Sequence, residues 1–140
     1  MKPISTTIQL LILVFAVSTQ PLFASDDFKA FGGKEGLTTI VDTAFEHILN
    51  DQRINSFFQE TDNEFIKEQL VLQFCDVLDG PCKYDGASMK DSHVGLNIKR
   101  EHFNALVEAV RKSMHTHNVP FASQNRFLAK LAPMHADIIE

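Results

Sequence analysis

The strongest constraint on this chain is a period. Leu37, Ile40, Val41, Ala44, Phe45, Ile48 and Leu49 recur at three- and four-residue steps, which places all seven on one face of an α-helix. Three further stretches carry the same rhythm. Ile66, Leu70, Phe74, Val77 and Leu78 predict a helix to about Leu78, opened by Thr61 and Glu64 at capping-box spacing, with Lys67, Glu68 and Asp76 facing away. Ile98, Phe103, Leu106, Val107, Val110 and Met114 predict another, with Asn97 as its N-cap and Asn118-Val119-Pro120 as its stop after His117. Phe127, Leu128, Leu131, Met134, His135 and Ile138 predict a last one from near Ser123, which Pro133 should bend or break. There is no strand alternation, repeat or low-complexity tract. The reading is one all-α domain with about four main helices, and 140 residues are enough for one sizeable core.

The connections are informative too. Phe31-Gly32-Gly33 is a turn that frees the backbone for positive φ. In Ile54-Asn55-Ser56-Phe57-Phe58 the two adjacent phenylalanines cannot both enter one helix stripe, so one is expected to lie over something outside the helix packing. Asp79–Ser92 runs for fourteen residues without helical period. Loops of that length in a compact domain are usually functional or disordered, and Tyr84 and Met89 argue for an anchored one. His93 follows directly. Twelve phenylalanines, with no Trp and one Tyr, hint weakly at a flat apolar guest.

Charge narrows the partners. Thirteen basic against eighteen acidic residues give −5, with no basic patch, so nucleic acid is not expected. The N-terminus is separable: Lys2, the apolar run Leu10–Val17, and a polar, Pro-containing piece ending at Ala24 predict a signal peptide over 1–24 and a mature domain over 25–140. The apolar run is too short to span a bilayer. Removal would cost only one charge, Lys2, and leave −6. Export, to the periplasm, with no stable membrane insertion after cleavage, is the expectation. An oxidising compartment would permit a Cys75–Cys82 disulfide. The simpler reading is a buried thiol on a helix and a second in a loop, and two cysteines are too few for structural zinc.

Six histidines are candidates for a metal. His115 and His117 stand at i and i+2, which do not face each other on a helix; a helix C-terminus favours both through its dipole. His47 and His102 fall on polar faces and read as solvated. His135 reads as a satisfied core histidine. His93, from its surroundings alone, is either structural or a ligand. No GxSxG, HExxH, glycine-rich phosphate loop or CxxC is present, so an ordinary hydrolase has little support.

Taken in order, these pieces resemble the group I truncated haemoglobins over about Phe31–Glu140. The marks are Phe31-Gly32-Gly33, Asp51-Gln52-Arg53-Ile54 before Phe57-Phe58, and Asp79-Gly80-Pro81. The most specific is Tyr84-x-Gly86-x-x-Met89-x-x-x-His93, followed by Gly95-Leu96-x-Ile98, His102-Phe103 and Leu131-Ala132-Pro133-Met134. The resemblance implies a two-over-two helical sandwich around haem b. It implies His93 as proximal iron ligand, its second ring N–H donating to a backbone carbonyl. Phe58 is the phenylalanine expected against the porphyrin, Leu106 and Leu131 fall at wall positions, and Phe74 falls where the family often lines an apolar gas tunnel. Tyr84, Met89 and Phe103 complete the implied cofactor-binding set.

Departures from the family pattern fall on the opposite side of the implied haem. Phe45 stands where many members place a tyrosine, and Ile66 and Leu70 where glutamine is common. The implied distal pocket is therefore apolar, unless Gln69 or Gln73 swings in. No distal-helix histidine is placed to ligate, so a five-coordinate ferrous state is expected. The expected ligand is O2, or NO or CO, bound reversibly, with an electron-donating reductase as a further partner. An enzyme for NO dioxygenation or peroxide or nitrite chemistry, and a haem-free helical interaction module, are the rival readings.

Overall fold

The computed structural model describes residues 25–140. The leader expected over 1–24 lies outside the described residues. Among those described there is no strand, and the helices are α1 (Asp26–Ala30), α2 (Gly33–Leu49), α3 (Asn63–Val77), α4 (Met89–His93), α5 (Arg100–Thr116), α6 (Phe121–Leu131) and α7 (His135–Ile138). Short 3-10 turns cover Asn55–Phe58 and Ala132–Met134. Helix α2 packs on α3 and α5, and α6 packs on the same two. This is the two-over-two arrangement.

Helix α2 begins earlier than its apolar stripe because Gly32 and Gly33 both take positive φ (79° and 67°), turning the chain into the helix. Gly36 is needed for a different reason: a Cβ there would lie 2.0 Å from the Phe31 carbonyl oxygen. Six of the seven stripe residues are buried, whereas Leu49, in the final turn, is 43% exposed.

The α2–α5 seam runs through small residues. Ala105, Ala109 and Ser113, spaced by four, are buried in α5. The Ser113 hydroxyl donates to the Ile40 carbonyl of α2 at 2.5 Å. Small side chains in one row let two backbones approach closely. The apolar period alone points instead to Phe103, Leu106 and Val107, which are only half-buried. A period built on bulk misses a seam built on its absence. Asn97 is likewise no cap: it has φ 53°, and α5 starts at Arg100 with the Lys99 N–H donating to His102 Nδ1 at 3.1 Å.

Helix α3 is capped by Asp62, not Thr61. The Asp62 carboxylate accepts from the Phe65 N–H at 3.1 Å, and the Thr61 hydroxyl donates to the Phe58 carbonyl and to Asn63. A carboxylate also gains from the helix dipole, which a hydroxyl does not. The helix is rotated from the expected stripe: Val71, Gln73, Phe74 and Cys75 are buried, while Ile66, Leu70 and Val77 are half-covered. Lys67 holds its start to α2 through Asp42 at 2.9 Å.

Schellman reversals end two of the three long helices, α3 and α5. After α3, Asp79 takes φ 55°, its N–H donates to the Asp76 carbonyl, and the Gly80 N–H donates to the Cys75 carbonyl at 2.8 Å. After α5, Asn118 and Val119 repeat the pattern on His115 and Met114. Lys130 of α6 reaches back to the α3 end, donating to the Val77 carbonyl (2.8 Å) and pairing with Asp79 (2.6 Å). Arg126 ties α6 to Asp27 of α1, and that hydrogen-bonded guanidinium holds the Asp27 carboxyl down at about 2. Pro133 breaks the last helix as expected, at the turn Ala132–Met134.

The α3 reversal also corrects the cysteine reading. Cys75 and Cys82 are joined in a disulfide, Cα atoms 5.7 Å apart, rather than standing as free thiols. Asp79 and Gly80 fold the chain back along the helix it has just left, and that return brings Cys82 to Cys75. Gly80 is obligatory, since a Cβ would meet the Phe28 ring at 2.7 Å and Cys75 Sγ at 2.8 Å. For a bridge closing so short a loop, Cys82→Ser should lower stability by about 2–3 kcal/mol. Urea unfolding would read this as a lower midpoint, and reductant should bring the wild type to the same value. A variant as stable as the oxidised wild type would show that the bridge contributes nothing.

Candidate functional site

His93 closes α4, a helix of five residues. The expected fourteen-residue loop is therefore shorter: the irregular part ends at Ser88, whose hydroxyl accepts from the Asp91 N–H at 3.1 Å and donates to the Asp91 carboxylate at 2.6 Å. Ser88-x-x-Asp91 is a capping-box pattern that was open to view in the sequence. Five residues are too few for an apolar period to register.

The loop is strapped to α3. The Tyr84 N–H donates to the Asp76 carboxylate at 3.2 Å, and the Tyr84 hydroxyl donates to the Ala87 carbonyl at 2.8 Å. A Cβ on Gly86 would lie within 2.7 Å of the Tyr84 hydroxyl and of Gln69 Oε1, so a larger residue there would displace those side chains. The bridge from Cys75 adds a covalent strap. Tyr84 thus anchors the loop, with its hydroxyl already committed.

His93 itself is half-buried. Its Nδ1 lies 2.7 Å from the Met89 carbonyl and 3.0 Å from the Ser92 hydroxyl. A carbonyl oxygen only accepts, so Nδ1 carries the proton, and Nε2 keeps its lone pair. The Ser92 hydroxyl is itself engaged with the Ser88 carbonyl at 2.8 Å. This ring is oriented and tautomerically fixed, with one nitrogen ready to ligate.

The other named residues divide by burial. Phe45 and Phe74 are core residues at 3% and 4% exposure. Phe45 meets Phe58 edge-on at 5.5 Å, and Phe74 meets Phe127 at 4.9 Å. Phe58, Ile66, Leu70, Leu106 and Leu131 press against the same core yet stay half-covered. Phe103 is half-buried, edge-on to His135 at 4.9 Å. Met89 meets the buried amide of Gln73, whose Nε2 lies 3.2 Å from the Met89 sulfur and 3.7 Å from that of Met134. Gln69 lies against Tyr84 and Gly86.

Of the remaining histidines, His115 is exposed and the others are at least partly covered by the fold. His102 is half-buried, not solvated, and stacks edge-on with Phe57 at 5.0 Å. His117 Nε2 meets the Thr43 hydroxyl at 2.8 Å. His47, also expected in solvent, is half-buried, and its Nε2 is buried without a partner. Among the described residues no three His, Cys, Asp or Glu side chains gather as a metal cluster.

Among the described residues the protein is helical, with one imidazole fixed on α4 and a set of half-covered apolar side chains at the margin of its core, the kinds of group a flat, apolar, metal-bearing guest uses. Over residues 27–140 the chain matches the bacterial-like globin family, and it belongs to that family. A group 1 truncated haemoglobin of Mycolicibacterium paratuberculosis is 29% identical over 111 residues, covering 79% of this chain and 82% of the relative. That of Tetrahymena pyriformis is 30% identical over 81 residues, 58% of this chain and 67% of the relative. The crystal structure of the Tetrahymena pyriformis protein in its Fe(III) form has a TM-score of 0.77 at 25% identity, covering 81% of this chain and 97% of the other. A 2/2 haemoglobin from Synechococcus, with covalently attached haem, shares the fold at 20% identity and a TM-score of 0.77.

Family membership implies haem and reversible gas binding. The residues present fit that group on two counts. Phe58, Ile66, Leu70, Leu106 and Leu131 leave apolar surface that a porphyrin would cover, and large apolar surface is rarely left bare without a reason. The His93 ring is fixed in the ligating tautomer, its outer N–H on a backbone carbonyl, as ligating histidines are.

Proposed function

We propose that this protein is an exported group I truncated haemoglobin that binds O2, or NO or CO, reversibly at haem b held by His93. The observation that carries the reading is the Nδ1 contact of His93 with the Met89 carbonyl, which leaves Nε2 for iron. When bound, the haem supplies the iron at which a diatomic gas coordinates. Everything else is done by the chain. His93 holds the group from one side. Phe58, Leu106 and Leu131 cover apolar surface and exclude water.

The distal residues offer no proton. Phe45, Ile66 and Leu70 are hydrocarbon. Of the two amides that could replace the missing donor, Gln73 aims its Nε2 at two thioether sulfurs, which are weak acceptors, while Gln69 has its Oε1 near Gly86 and makes no hydrogen bond among the described residues. Gln69 is therefore the less firmly committed of the pair. Bound O2 carries partial negative charge and gains from a donor, so this chain is a loose O2 binder that discriminates little against CO. Export is supported by the Cys75–Cys82 bridge, which persists in oxidising compartments, and by the leader pattern over 1–24.

His93→Gly should abolish the five-coordinate ferrous spectrum, and added imidazole should restore it. An unaltered spectrum would place the ligand elsewhere, and a wild type giving no Soret band after haem addition would favour the haem-free module. Phe45→Tyr should tighten O2 binding about ten- to hundredfold, the worth of one hydrogen bond at about 1–3 kcal/mol, mostly through a slower off-rate in stopped flow. If the off-rate is already slow and does not change, a donor other than residue 45 serves the ligand. Mass spectrometry of protein recovered from the periplasm should find a chain beginning at Ser25; recovery only as full-length cytoplasmic protein would end the export reading.

A further inference from the structure

Helix α4 cannot hold His93 by its own packing. It is five residues long, and none of them is buried. The segment that follows is no better covered, with Val94 66% and Leu96 46% exposed. Yet an iron ligand works only if its ring is kept in one orientation. Upstream, the straps from α3 meet the loop at Cys82 and Tyr84, well before His93, and reach α4 itself only through Gln73 Nε2 on the Met89 sulfur, a weak acceptor. Downstream, one residue meets the chain within two positions of it.

That residue is Glu140, just past α7. Its Oε1 accepts from the Gly95 N–H at 2.6 Å, and its Oε2 accepts from the Asn97 N–H at 2.8 Å. Its own N–H donates to the Ile98 carbonyl at 3.0 Å. Gly95 and Asn97 both take positive φ, 81° and 53°. Left-handed residues in such a turn aim backbone N–H groups into one concavity, a nest suited to an anion. Here the anion is a side chain of the same protein. The nest is joined to the ligand directly, since the Leu96 N–H donates to the His93 carbonyl at 3.2 Å. Helix α7 packs on α4.

We propose that Glu140 is a positioning residue for His93: its carboxylate, seated in the Gly95–Asn97 nest, clamps the backbone behind the proximal imidazole and sets the ring's orientation. This rests on the reading of His93 as iron ligand. A carboxylate with two N–H donors suits the role because hydrogen bonds to an ionised acceptor are shorter and stronger than neutral ones. Glutamine at 140 would keep one acceptor oxygen and lose the other. Alanine would lose both.

The test uses the full haem-loaded protein. In Glu140→Ala, the iron–histidine stretching band of the ferrous form, read by resonance Raman, should shift or broaden. Haem transfer to excess apomyoglobin should speed up about tenfold, the lower end of the effect of losing an outer partner of a metal-bound histidine. Glu140→Gln should fall between Ala and wild type on both, and it carries the comparison if the alanine variant fails to fold. A residue that merely stabilised the fold would lower the melting temperature and leave the band in place. An unchanged band and haem-loss rate in both variants would overturn the proposal while leaving His93 as ligand intact. A wild type that takes up no haem would sink the functional reading, and this proposal with it. Fast amide exchange at Gly95 and Asn97 in the haem-free wild type would also overturn it, because clamped N–H groups exchange slowly.

Discussion

One hydrogen bond sets the terms for this molecule. The Met89 carbonyl, four residues before His93, takes the ring proton at Nδ1 and so decides which nitrogen faces outward. Met89 opens α4, and its carbonyl oxygen has two lone pairs, so it can take the ring N–H from within the same turn as well as a backbone donor. The shortness of α4 leaves it with no buried residue, so its stability must come from what is attached to it at either end.

The four-helix frame serves this need from a distance. Helices α2 and α5 close on each other through alanine and serine, and Phe31, Phe74 and Phe127 pack edge-to-face in the core. Bulk is thereby moved away from the α2–α5 seam. Phe58, Ile66, Leu70, Leu106 and Leu131 are left on the margin of the core, half-covered. A core that used these residues fully would have no room for a guest. Stability and cofactor capacity compete here, and α3 shows the balance: Val71 and Cys75 face the core, while Ile66 and Leu70 are turned partly out of it.

Much of this was legible in the sequence, and the parts that were not share a cause. Periodicity marks helices by their large apolar residues, and α2, α3, α5 and α6 were visible for that reason. It is blind to the Ala105–Ala109–Ser113 seam, to α4 and to the rotation of α3. The resemblance singles out His93, and the structure places its Nδ1 on a backbone carbonyl, that of Met89. The cysteines could not be paired from spacing alone, because pairing depends on a left-handed aspartate at position 79 that no local pattern announces. Thr61 against Asp62 was a choice between neighbouring caps, which the charge of the carboxylate decides. His47 and His102 looked solvated because their helix faces are otherwise polar, yet neighbouring elements cover both.

The reversal after α3 has a consequence for how sequences of this kind can change. Phe28, Gly80 and the sulfur of Cys75 occupy one small volume in which no further carbon fits. A lineage that discards the cysteines gains room at position 80 on one side only, and the phenylalanine still bars the other. The cysteines can therefore be lost with the corner otherwise unchanged, whereas a side chain at position 80 has to wait for the ring at position 28 to shrink or move as well.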